Sequence, residues 1–165
     1  MRLSGTLNLT SGGAGLLSQG TVVGENAAVT IQASGGDGLS AADEITLTGG
    51  SLAIELAGGN GLTAGKSVVL SEATLTLGEV AGDGITAPEG FSADQSTVTL
   101  TRAGGSALIS GKGVTLTGGS VTLSAAGGDG LSTPEDIILT GAALTVGEVE
   151  GYGVRTSEGT LTIDP

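Results

Sequence analysis

The sequence predicts an all-β chain wound into a right-handed parallel β-helix, a β-solenoid with three short strands per 23-residue coil and about seven coils. Three observations predict it. A Gly-x-Gly-apolar phrase opens at Gly13, Gly36, Gly59, Gly82, Gly105, Gly128 and Gly151 with no slip in spacing, Ala107 replacing the second glycine in one copy. Apolar residues in each copy alternate with polar ones in three short runs, the pattern of strands with one side buried. Glycine-rich turn groups separate the runs and leave no place for a helix to start. A unit this small cannot bury its own apolar side, so the copies must stack.

The chain reads as a single domain, because its composition does not shift along its length. A partial coil covers 1–12, full coils start at 13, 36, 59, 82, 105 and 128, and a partial coil covers 151–165. The fourth position of each coil is aliphatic, from Leu16, Leu39 and Leu62 to Val154, and begins a first strand. Positions ten and twelve mark the second, as in Ile45/Leu47 and Val68/Leu70. Positions seventeen and nineteen mark the third, as in Leu52/Ile54 and Val98/Leu100. Phe91 falls at an inward position, and Tyr152 is the one aromatic expected outside. Each strand is expected to pair with its equivalents one coil away at roughly 4.8 Å, giving a rod about 34 Å long. Hexapeptide left-handed solenoids, calcium-loaded nonapeptide repeats and propeller blades of about 40 residues all have the wrong period.

Composition excludes several function classes. The 33 Gly come with only 3 Pro and no Gly-X-Y triplets, which rules out collagen. With 17 acidic and 5 basic residues the net charge is −12, so no basic stripe exists for nucleic acid. The absence of Cys and His removes disulfides, thiolate nucleophiles, imidazole bases and the usual zinc ligands. Apolar runs are too short for membrane insertion, and no charged stretch followed by an apolar one marks a signal peptide. A lyase would need a free basic side chain to abstract a proton, whereas the few cations here have carboxylate neighbours, so the chain is not expected to be an enzyme.

Position eight of the coils reads Asp43, Lys66, Glu89, Lys112, Glu135, Glu158, which predicts a lateral ladder of ion pairs, and Arg102 is expected to pair with Glu79 in another column. Two columns are candidates for function. The first is Asp37, Asn60, Asp83 and Asp129, with Ser106 interposed, in which acidic and neutral coils alternate. It reads as a calcium site, although calcium needs six to eight oxygens and each Asp is about 9.6 Å from the next. The favoured reading is a set of turn-amide acceptors, with the alternation keeping like charges apart. The second is the outward side of the third strand, carrying Thr30, Thr74, Thr76, Thr97, Thr99, Thr101, Ser120, Thr122 and Thr145, with Glu55 as its one charge. Such flat Thr-x-Thr rows on a β-solenoid resemble ice-binding proteins. Unpaired strand edges at either end of a solenoid also make end-to-end self-association an expected property.

The phrases Gly35–Leu62 and Gly111–Leu131 resemble the repeats of bacterial extracellular carbohydrate-binding β-helix domains, in which Gly-Asp-Gly-Ile alternates with Thr-Ile-Ser-Gly-Gly-Thr-Val-Thr-Ile. Members look like pectate lyases in shape, sit on cell surfaces and in some cases bind calcium and acidic plant polysaccharides. The resemblance therefore implies a non-catalytic extracellular or cell-surface module with a structural, adhesive or carbohydrate-binding role. It implies an acidic glycan as partner, with calcium assisting rather than being required. Neutral coils at Asn60 and Ser106 depart from the family pattern, and one exposed aromatic leaves hydroxyl, amide and cation-bridged contacts to hold a sugar.

Overall fold

The computed structural model describes residues 1–165 as a β-solenoid without helices. Three parallel sheets wrap one core: a seven-stranded sheet of three-residue strands from Leu16–Ser18 to Val154–Thr156, an eight-stranded sheet from Arg2–Leu3 to Leu161–Asp164, and a seven-stranded sheet of longer strands from Thr6–Ser11 to Ala143–Val149. These are termed the short, middle and long sheets. Pairing runs in 23-residue register through the body of the rod, as in Leu39↔Leu62, Val68↔Phe91 and Leu75↔Val98. A one-residue slip would turn every apolar side chain outward, so the alternation itself holds the register.

The core consists of 37 buried apolar residues in a single column running the length of the rod. Position-four aliphatics such as Leu62 and Ile85, middle-sheet residues such as Val68 and Leu70, and long-sheet residues such as Leu75 and Leu77 meet there, all at most 1% exposed. Phe91 lies inside as expected, its bulk accommodated beside the small Ala93 two residues on, and Tyr152 lies outside. Thus the inward positions read from the sequence are the buried ones through the body of the rod, while Leu16 in the first full coil and Leu144, Val146 and Val154 near the end are partly buried.

The periodicity slips at both ends. In the first coil Leu3 pairs with Gly24 and Thr6 with Ala28, and a bulge between Leu9 and Thr10 then restores the 23-residue offset by leaving Gln32 unpaired. In the last coil Ile137 pairs with Leu161, so one extra residue is taken up in the turn after Ser157. The glycine spacing alone shows neither, because the first partial coil precedes Gly13 and the last change follows Gly151.

A further column reads as a turn in the sequence only at its Gly-Gly pairs, Gly49-Gly50 and Gly118-Gly119. Position fourteen of every full coil adopts positive φ at the corner between middle and long sheets: Asn26 (48°), Gly49 (63°), Glu72 (51°), Gln95 (48°), Gly118 (60°) and Gly141 (57°). Stacked coils must bend alike, so Glu72 and Gln95 are held in a left-handed conformation that non-glycine residues avoid by about 1–2 kcal/mol. Replacing Glu72→Gly is therefore expected to raise the unfolding free energy by up to about 1 kcal/mol, and Glu72→Val to lower it by at least as much, in urea titrations followed by circular dichroism. In the same assay Leu100→Ala, at a fully buried position, is expected to cost about 2–5 kcal/mol.

Candidate functional site

The Asp column lies at the corner entering the short sheet, and the structure resolves it into a ladder of hydrogen bonds between coils. The amide of Asn60 donates to Asp37 Oδ1 at 2.9 Å, that of Asp83 to Asn60 Oδ1 at 2.8 Å, and that of Ser106 to Asp83 Oδ1 at 2.8 Å. Asp129 then donates to Ser106 Oγ at 3.1 Å, and Tyr152 to Asp129 Oδ1 at 2.8 Å. Each side chain thereby satisfies a corner amide that the sheet pairing leaves free. The first glycine of the phrase makes room for it: a Cβ on Gly82 would run into Asn60 Oδ1, and one on Gly105 into Asp83 Oδ1.

The ladder commits one oxygen of Asp37, Asp83 and Asp129 to the backbone and sets a neutral Asn60 or Ser106 between the acids. No group of three or more Asp, Glu, His or Cys side chains is arranged to hold a metal ion. Such a column does not by itself supply the oxygen cage calcium needs. Asp129 additionally faces Arg155 at 3.8 Å, and the Arg155 guanidinium lies 5.4 Å from the centre of the Tyr152 ring.

The alternation of Asn and Asp leaves a mark. Asn60 Nδ2 donates to Thr63 Oγ1 at 3.3 Å, but one coil on the Asp83 side chain has no N–H to offer, and Thr86 Oγ1 is buried without a partner.

On the long sheet the hydroxyl residues form two columns in register. Ser51, Thr74, Thr97 and Ser120 stack in one, and Thr76, Thr99, Thr122 and Thr145 in the other. The columns are two residues apart along the strand, about 6.6 Å, with a coil spacing near 4.8 Å. Thr30 is cut off from the second column by Ala53, with which it pairs. Thr101 sits two residues beyond Thr99, at the point where the strand bends.

That bend forms an extended groove. Strict alternation breaks near the end of each long strand: in Ser51–Ala57 both Glu55 and Leu56 face outward before Ala57 turns in. Two hollows of about 340 and 410 Å³ follow the bend and meet at Arg102 and Gly104, so the groove runs along the rod axis from Ser34 to Glu150. Alanine and glycine form its floor, including Ala103, Ala126 and Gly127, and Leu56, Glu79, Arg102, Ala125 and Glu148 fall in one column along it. The sequence carried a signal for this surface: Leu77-Gly78-Glu79-Val80 returns three coils later as Val146-Gly147-Glu148-Val149.

The expected ion-pair columns form only in part. Lys66 meets Asp43 at 2.8 Å, and this hydrogen bond, with the charge of Asp43, holds the ammonium above its ordinary range. The contribution is present at neutral pH and lost as pH rises through the lysine's range, and it is small because water screens the exposed pair. Lys112 makes no ion pair with Glu89 or Glu135, and Arg102 none with Glu79, although the last two are in register. Exposed side chains gain too little from such contacts to give up their rotamer freedom.

Two substitutions test the ladder by urea unfolding. Gly82→Ala is expected to cost about 1–3 kcal/mol by displacing Asn60 from the Asp83 amide. Asp83→Asn keeps the acceptor for Ser106 and adds a donor three residues before Thr86, so it is expected to be neutral or to stabilise by about 1 kcal/mol. No family model, no curated protein and no solved structure matches the chain, and the meaning of its surfaces rests on its own residues.

Proposed function

We propose that the chain is a non-catalytic binding module for a linear polysaccharide, displayed outside the cell or on its surface. One observation carries this reading: the groove along the bend of the long strands, which is lined by six successive coils and contains an unpaired guanidinium at Arg102. A site that repeats along the rod axis suits a ligand that is itself a repeating chain. Arg102, Glu79, Glu148 and Glu150 line it with donors and acceptors for sugar hydroxyls and carboxylates, while the Ala and Gly floor lets a ring approach the backbone. The lack of His and Cys supports binding without chemistry. The sequence resemblance points the same way, toward an acidic glycan with calcium assisting. Titration calorimetry with soluble glucans and galacturonans, with and without calcium, is expected to show saturable heat that Arg102→Ala weakens several-fold. Absence of heat with every neutral and acidic chain overturns the reading.

The two in-register hydroxyl columns favour a second reading, adsorption to ice. Eight hydroxyls spaced by coil and strand geometry, with matching methyl groups on the threonines, form a flat, nearly uncharged grid. Such a grid is expected to shape ice crystals and to produce thermal hysteresis. Thr76→Lys with Thr122→Lys, two coils apart, should abolish both with little shift of the unfolding midpoint, and wild-type protein with no hysteresis counts against adsorption.

A further inference from the structure

The distribution of charge within the groove says which glycan suits it. This step rests on the polysaccharide reading above. Six coils contribute one cation, Arg102, to the groove, and three carboxylates, Glu79, Glu148 and Glu150. Glu79 is registered one coil below Arg102, about 4.8 Å along the axis, and Glu148 lies two coils above, about 9.6 Å away. None of the three carboxylates is tied to a cation within the protein, and Arg102 is not neutralised by any of them.

We propose that the groove selects a glycan in which an isolated carboxylate is flanked by neutral sugars, and discriminates against a polyuronate. A guanidinium presents a planar fork of donors that takes a carboxylate bidentately, so a single uronate fits at Arg102. Its neighbours along the ligand then lie against Glu79 on one side and Glu148 and Glu150 on the other. Neutral sugars can donate hydroxyl hydrogens to those carboxylates. Further uronates would set like charge against like charge within about one Debye length at physiological salt. The protein's net charge of −12 repels a polyanion at longer range as well. A divalent cation in solution relieves this repulsion by bridging ligand and protein carboxylates, so calcium would widen what the groove accepts without a resident site.

Calorimetry in EDTA with three galacturonan samples tests this: fully methyl-esterified, sparsely de-esterified with isolated free carboxylates, and fully de-esterified. The sparsely charged chain is expected to bind at least about fivefold more tightly than the fully charged one. Arg102→Gln should remove its advantage over the neutral chain, and Glu79→Gln with Glu148→Gln should bring the fully charged chain to within about twofold of it. All of these side chains are exposed and unpaired, so unfolding midpoints should not move, which separates lost recognition from lost fold. If the fully charged chain binds as tightly as the sparse one in EDTA, or Arg102→Gln changes nothing, the selectivity proposal is overturned while polysaccharide binding stands. If none of the three chains nor a neutral glucan binds, both fall.

Discussion

Everything in this molecule depends on the register of parallel pairing between coils. Most backbone amides and carbonyls of a coil find their partners in the coils beside it, as in Leu39 to Gly61 and Gly84 to Ser106, and 117 backbone hydrogen bonds tie the 165 residues together with no helix contributing. A side chain therefore has as its nearest neighbours the residues one period before and after it. Every position must be compatible with copies of itself. Aliphatic columns satisfy this by packing, Thr columns by their preference for pleated surfaces, and Asx columns by accepting the neighbour's amide.

The same constraint explains the glycines and the strain. Gly82 and Gly105 are glycine because the side chain of the coil below lies over them, so the ladder and the Gly-x-Gly phrase are one device. At the corner between middle and long sheets every coil must turn left-handed whether or not its own residue favours it. Glu72 and Gln95 comply because Gly49 and Gly118 on adjoining coils fix the path. A local preference is overruled by the stack when the stack contributes hydrogen bonds above and below.

Charge follows a different rule. Columns of carboxylates would repel, and the alternation of Asp37, Asn60, Asp83, Ser106 and Asp129 avoids it at the most crowded corner. On open faces the stacking places Lys112 and Arg102 near carboxylates without binding them, since water competes effectively there. The residue left free at Arg102 is the one that lies in the groove.

The amino-acid pattern alone determined the period, the three strands per coil, the inward positions from Leu39 to Val121 and the identity of the Asx and Thr columns, because periodic burial writes itself directly into alternation. It also named Asp37, Asn60 and Asp83 as turn acceptors, although not that the amide each one satisfies belongs to the following coil. The left-handed corner was legible at the Gly-Gly pairs but hidden at Glu72 and Gln95, because Glu and Gln carry no signature of positive φ. The groove was hidden because Glu55 and Leu56 read as an interrupted alternation rather than as a bend. Tertiary structure decided these, along with which charges pair and which stay free. They depend on distances between coils and on competition with water, and neither is a property of any residue within one period.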